Sequence, residues 1–285
     1  MNQYRRVLLS LGLSGVVLTG TISALAQDLP KKQPNLLALI REQVKVGHNG
    51  AHGRNEAGWP AAYEKAKSPF FYLAMTSITG PNEALYVIPY ESHAAMGDDF
   101  KRSDDDPILS AETERLSLAD AEHVNSVSTI HAAARPDLSS GDFPDLSKMR
   151  LFEITVYSVR PGHEQGFEAA GKAYGAARTR AGVKSAYRAY QVIAGMPALT
   201  YLVISSVKEF AEMDKALSDH RETMKAATEE EKSILAKAMA EDVLKEEANR
   251  YLVDPKQSYV PKETKEKDPD FWNKKITRAA APRNS

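Results

Sequence analysis

The spacing of apolar and polar positions along residues 150–205 changes from strand-like to helix-like and back again. Residues 151–159 are dense in β-branched and aromatic side chains, Phe152, Ile154, Val156 and Tyr157 among them, and predict a strand. Residues 164–180 predict a helix, and 185–194 and 199–205 predict two more strands. Gly195-Met196-Pro197 between those strands is hairpin punctuation. The first half of the chain carries the same order. A strand is expected over 39–46, a helix over 59–67, and strands over 70–79 and 85–90 joined by Gly80-Pro81-Asn82-Glu83. Helical segments over 108–134 and 228–252 are expected to close the two halves.

The halves are one pattern written twice. A shift of 111 places Glu42, His52 and Tyr63 on Glu153, His163 and Tyr174. A shift of 115 places Tyr72, Ala74, Ile78, Gly80 and Tyr86 on Tyr187, Ala189, Ile193, Gly195 and Tyr201. A shift of 119 places Ala119, Glu122, Val124, Pro136 and Ser139 on Ala238, Glu241, Val243, Pro255 and Ser258. Identities kept in order, with an offset that grows in two small steps, indicate tandem duplication with loop insertions. The first-strand register is in conflict, because Arg41, Gln43 and Lys45 then oppose Phe152, Ile154 and Val156, and a one-residue slip exchanges the faces. The His52/His163 pair is taken as the firmer anchor. Two α+β repeats are expected, over 35–134 and 150–260, with a linker rich in Pro, Asp, Ser and Gly over 135–149. Residues 261–285 read as a polar tail in which Phe271-Trp272 can dock on the body.

The start of the chain predicts export. Arg5 and Arg6 precede an apolar run over 7–22, and Ala24-Leu25-Ala26 fits a small-x-small cleavage site that makes 1–26 a signal peptide. The run is short for the ~20 residues that span a bilayer, so a periplasmic or secreted protein with no stable membrane anchor is expected. An uncleaved anchor is the alternative, and the arginine pair leaves the general and twin-arginine routes both open. Net charge is −1, and −3 once Arg5 and Arg6 are removed, so no basic surface draws nucleic acid. With no cysteine, disulfides, thiolate metal sites and a cysteine nucleophile are excluded, and the hydrophobic core must carry the fold.

The order strand, helix, strand, strand, helix belongs to the ferredoxin-like group of α+β folds. The stretch from Phe152 to Phe167, in which a strand ends in Arg160-Pro161-Gly162-His163 and leads into a helix, resembles the opening of dimeric α/β-barrel proteins. NIPSNAP-like and antibiotic-biosynthesis-monooxygenase-like families belong to that superfamily. The resemblance covers roughly 39–100 and 150–217, and the first repeat departs from it, with Gly50-Ala51-His52 in place of Pro161-Gly162-His163 and a longer loop. It implies two tandem ferredoxin-like units whose antiparallel sheets close into one intrachain pseudo-dimeric α+β barrel with extra helices. It also implies a choice among haem-handling enzymes, cofactor-free oxygenases and small-molecule binders, which a fold cannot make.

His52 and His163, where a first strand hands over to its helix, are weak catalytic candidates as proton shuttles or ligands, and suit bracing that joint equally well. His48, His52 and His93 would make a three-imidazole site only if the fold gathered them, and no acidic ligand motif accompanies them, so no metal is expected. Tyr72, Tyr86, Tyr187, Tyr190 and Tyr201 fall on predicted strands, where some would face the barrel centre and suit an apolar ligand, or else pack as core. Arg188 and Gln191 are polar groups on such a strand, three apart, so at most one faces the interior. No nucleophile elbow, phosphate loop or dinucleotide fingerprint is present. The reading favoured is an exported, non-enzymatic binder of a small, largely apolar molecule. Its alternatives are a haem-handling or cofactor-free oxygenase, and a cell-envelope interaction protein using 108–134 and 220–252 as contact faces. Self-association is compatible with all three.

Overall fold

Along 36–44 apolar side chains alternate between two faces, Leu37 and Leu39 on one, Leu36 and Ala38 on the other, and both faces are buried. Such a strand must be covered on both sides. In the computed structural model, which describes residues 29–273, a closed barrel covers one face and helices the other. The barrel strands are β1 (Leu36–Val44), β2 (Leu73–Ser77), β3 (Glu83–Tyr90), β4 (Val124–Ala134), β5 (Leu151–Val159), β6 (Tyr187–Ala194), β7 (Thr200–Val207) and β8 (Val243–Val253). They run antiparallel in the order β1-β3-β2-β8-β5-β7-β6-β4. Each repeat contributes four neighbouring strands, and the repeats join where β2 meets β8 and β4 meets β6. This is the expected pseudo-dimeric α+β barrel within one chain.

The helices of the first repeat are α1 (Asn49–Glu56), α2 (Gly58–Lys65), α3 (His93–Asp105) and α4 (Pro107–Asp120). Those of the second are α5 (Glu164–Arg180), α6 (Glu212–Ala226) and α7 (Glu229–Lys237). Among the described residues no helix is long and apolar enough to cross a membrane. The expected signal peptide over 1–26 lies outside the described residues.

The structure corrects the closing segments. Only their first parts are helical, and residues 124–134 and 243–253 are β4 and β8. Ala132–Ala133–Ala134 and Lys245–Glu246–Glu247 favour a helix locally. Pairing of β4 with β1 and β6, and of β8 with β5 and β2, overrides that preference. Half of each supposed contact face is thus built into the barrel.

The repeat register is corrected too. Each first strand bulges against its fourth-strand neighbour at Val44 and at Val159, and Gly47 and Gly162 each turn the chain at φ 86°. The offset is therefore 115 in β1, and His163 corresponds to His48 rather than His52. Leu36 pairs with Tyr90 and Leu151 with Val207, so the offset is 117 in β3, and Leu36 with Ala133 against Leu151 with Leu252 makes it 119 in β4. No longer loop is needed in the first repeat. Together α1 and α2 span the residues that match α5, and the break follows from Pro60, which lacks the N–H that would bond the Glu56 carbonyl.

Most of the barrel interior is filled, apart from a space of about 100 Å³ beside Arg41, Ile154 and Tyr251. Leu37, Leu39, Met75, Leu85, Ile130, Ile154, Tyr190, Val192, Leu202 and Tyr251 form one buried cluster. Trp272 belongs to it as well, so part of the expected tail is built in. Helices α8 (Lys262–Lys267) and α9 (Pro269–Trp272) bring Trp272 to 5% exposure, its indole N–H donating to Ser147 O at 3.0 Å. Arg150 lies 3.7 Å over the Phe271 ring and pairs with Asp268. The linker contains turns at Pro136–Leu138 and Leu146–Lys148.

Candidate functional site

The larger open space lies outside the barrel, between the second repeat's sheet and its helices. A cavity of about 1070 Å³ has its floor on the outward faces of β5, β7 and β6. Tyr157, Tyr201, Val203, Tyr187 and Ala189 form that floor, and Phe167, Tyr174, Met213, Ala216, Leu235 and Met239 from the helical layer close over it. The roof stands off because its helices have little to bury. Helix α6 buries only Asp219 and Thr223, and α7 buries nothing.

The first repeat shows what fills this layer elsewhere. After β8 the chain returns past β2, where Tyr259 bridges to Tyr72, stacks on Phe71 at 4.9 Å between ring centres and donates its hydroxyl to Ser68 O. The matching bridge in the second repeat is Ser140 to Tyr187. A serine where the other repeat has a tyrosine leaves the Tyr187 side of the layer unfilled.

Polar groups on the wall are few and placed. Tyr201 donates to Glu168 Oε1 at 3.0 Å, and Arg135 holds the same oxygen at 2.5 Å. Tyr157 donates to Glu246 at 3.1 Å. Tyr174 Oη lies 3.1 Å from His220 Nδ1, and Arg178 sits 5.1 Å over the Tyr187 ring. Burial pushes the Tyr187 and Tyr201 hydroxyls each up to about 12, Tyr201 also through its bond to Glu168. Both therefore stay protonated donors near neutral pH. Arg135 holds Glu168 below the usual carboxylate range.

At the corresponding place in the first repeat the layer is polar. Glu42 from β1, His52 and Glu56 from α1 and Asp120 from the end of α4 each bring one ligand atom within 4.8 Å of the others. Their counterparts at offsets of 115 and 119 are Tyr157, Phe167, Gly171 and Met239, all on the cavity wall. His52 Nδ1 lies 3.0 Å from both Asp120 oxygens, and Nε2 lies 3.4 Å from Tyr86 Oη and 3.8 Å from Glu42 Oε2. Desolvation, with Glu56 nearby, pushes Glu42 up to about 7. Desolvation also raises Glu56. For His52 desolvation is the largest influence and acts downwards, but the surrounding carboxylates outweigh it and leave the imidazole raised.

The residues singled out from the sequence are dispersed. Tyr187 and Tyr201 line the cavity, which lies outside the barrel and not at its centre. Tyr190 faces the packed interior. Tyr72 packs among Tyr63, Tyr86 and Tyr259, and Tyr86 also reaches the His52 cluster. Arg188 is spent on the carbonyls of Ser140, Gly141 and Tyr187, and Gln191 accepts from Arg135. His163 bonds Asp242 at 2.7 Å, as its counterpart His48 meets His123 at 3.0 Å, so the pair braces a joint away from the cavity. His93 is exposed on the first turn of α3, apart from the cluster. Sequence reasoning missed Glu42, Glu56 and Asp120 as a set, and Phe167, Tyr174 and His220 as a wall. Phe167 and Tyr174, seven residues apart on one face of α5, were the available signal for the wall.

No family model matches the chain and no curated protein matches it in sequence. Solved structures match its shape. A protein described as anthrone oxidase-like has a TM-score of 0.51 at 15% identity, over 79% of this chain and 93% of that one. A putative monooxygenase from Lactobacillus acidophilus NCFM has a TM-score of 0.49 at 7% identity, over 78% and 94%. A mutant chlorite dismutase from Candidatus Nitrospira defluvii has a TM-score of 0.48 at 8% identity, over 83% and 96%. The likeness is one of fold, the dimeric α+β barrel.

Proposed function

We propose that this dimeric α+β barrel binds a small, largely apolar, planar molecule in the cavity of its second repeat, and that it does so as an exported protein in the periplasm or outside the cell. The observation that carries the reading is the cavity itself: about 1070 Å³, with aromatic walls, open where the duplicate layer is filled. A pocket of that size with few polar groups is the usual form of a small-molecule site. Flat rings suit walls made of Tyr157, Phe167, Tyr174, Tyr187 and Tyr201. Tyr187, whose hydroxyl has no hydrogen-bond partner among the described residues, supplies a donor for a ligand carbonyl or phenol.

Native mass spectrometry of the chain purified from its producing cell tests this. A bound mass that vanishes on denaturation, and is lost from a Tyr201→Ala variant, supports the reading. A bare protein from native cells counts against it. Fractionation of those cells tests export, since a protein retained in the cytoplasm with residues 1–26 attached removes that part.

One observation favours a second reading, oxidation of the bound molecule. His220 is the imidazole on the cavity wall, its Nδ1 3.1 Å from Tyr174 Oη, and in the tautomer that donates from Nδ1 its Nε2 serves as a base. The anthrone oxidase-like neighbour makes an anthrone the substrate to try first. The same Nε2, with Lys184 and Lys232 on the wall for carboxylates, is also a donor set that fits haem, which would supply oxygen chemistry when bound. Oxygen consumption with an anthrone, and a Soret shift on adding haemin, separate the two routes. Either signal persisting unchanged in His220→Ala rules out this role for the imidazole.

A further inference from the structure

Helix α1 has little apolar surface with which to hold its place. Its eight residues include Gly50 and Gly53, no large apolar side chain is among them, and its buried residues are His52 and Glu56. A helix so short and glycine-rich does not persist on its own propensity. What fixes it is the cluster those two residues enter, with Glu42 of β1 and Asp120 of α4.

The geometry of that cluster is directional. Asp120 faces the His52 Nδ1–H with both oxygens at 3.0 Å, which leaves the Nε2 lone pair pointing the other way. This carboxylate–histidine arrangement orients imidazoles that bind metals. On the Nε2 side lies Glu42, whose Oε2 is buried and has no hydrogen-bond partner. Glu56 is 4% exposed, with one oxygen taking the Trp59 indole N–H at 3.2 Å. Tyr86 Oη borders the same space, 3.4 Å from Nε2 and 3.2 Å from Gln257 Oε1. The architecture does not require these charges, because the second repeat builds the same layer from Tyr157, Phe167, Gly171 and Met239.

We propose that His52 Nε2, Glu42 and Glu56 bind a divalent first-row transition cation, with Asp120 as the positioning residue behind the imidazole. One imidazole with carboxylate oxygens suits Mn²⁺, Fe²⁺ or Zn²⁺. Nε2 and Glu42 Oε2 stand 3.8 Å apart, and metal–ligand bonds of about 2.0–2.2 Å would draw them closer. Buried as it is, the ion clips β1, α1 and the end of α4 together and does not meet the cavity ligand. The proposal stands apart from the binding reading for the second repeat.

The test uses the full chain, stripped with a chelator and then titrated with Mn²⁺ or Zn²⁺. One equivalent is expected to bind, seen as loss of the free Mn²⁺ EPR signal, with a higher Tm and slowed amide exchange across 49–56. Glu42→Gln with Glu56→Gln should abolish uptake, and Asp120→Asn should weaken it by about 10–100-fold. The glutamine variants keep shape and remove buried charge, so they stay folded. If the stripped wild type takes up no ion, or the double variant takes it up equally, the cluster is a proton-sharing network and the proposal fails.

Discussion

At the level of single residues, two tyrosine hydroxyls and one buried carboxylate decide most. Tyr187 offers a protonated hydroxyl to the cavity and nothing else in the fold depends on it. Tyr187→Phe should leave Tm unchanged and weaken the cavity ligand by about 5–10-fold, the worth of one hydrogen bond near 1 kcal/mol. Ligand titration of the two proteins measures it, and equal affinity would remove Tyr187 from the site. Asp99 is a different case. It accepts the Tyr90 hydroxyl at 2.6 Å on one oxygen, while the other is buried without a partner. Burial raises its pKa above the usual 3.8, against the opposing influences of Tyr90 and Arg102. A carboxyl raised in the folded state stabilises it below its ordinary pKa, and that contribution is lost as pH rises through the folded value. Asp99→Asn removes the buried charge, so Tm measured from pH 3.5 to pH 8 should move progressively in the variant's favour, by the equivalent of about 1–2 kcal/mol at the alkaline end. Tyr187 was a ligand-facing candidate in the sequence, but its open hydroxyl and the state of Asp99 were not legible there, because burial and a missing partner are properties of the packed layer.

Among elements, legibility followed how local the cause is. The hairpin joints at Gly80 and Gly195 and the helix Glu164–Arg180 were readable because turn chemistry and helical spacing are written within a few residues. β4 and β8 were misread because their strand character comes from neighbours far along the chain. Only β1 and β6 on either side of β4 make Ala132 a strand residue. The His52 anchor failed for a related reason. Pro60 splits the helix that α5 keeps whole, and the split was mistaken for an insertion. The segment α8–α9 is polar in sequence apart from Phe271 and Trp272, the pair expected to dock it and the pair that seats it. Trp272→Ala should lower stability by about 3–5 kcal/mol, as for other buried aromatic truncations. Denaturant unfolding measures this. A loss below 1 kcal/mol would mean that the segment merely rests on the barrel.

At the scale of the whole molecule, duplication was legible while its consequence was not. A homodimeric barrel repeats one helix–sheet layer twice, so any change made in one layer is made in both. Joining the units in one chain removes that constraint. Here one layer is closed by Tyr259 and the His52 cluster, and the other is open with Ser140 and an apolar wall. The joints remain those of a dimer. β2 meets β8 through Met75 with Val253 and β4 meets β6 through Ala134 with Tyr190, related by the same pseudo-twofold. A single repeat would leave both edge strands unpaired and its inner apolar face uncovered, which soluble proteins avoid. A second copy of that repeat offers the same two edges in the right sense. Residues 145–273 expressed alone should therefore form a homodimer by light scattering, with β6 of each copy on β8 of the other. In that dimer Tyr259 of each copy comes to the place that Ser140 holds in the parent chain, so both cavities should close on their Tyr187 side and ligand uptake should fall below that of the parent. A well-folded monomer of this fragment would show that the barrel is not needed to complete the repeat. A dimer that takes up two ligands would show that Ser140 is not what keeps the cavity open.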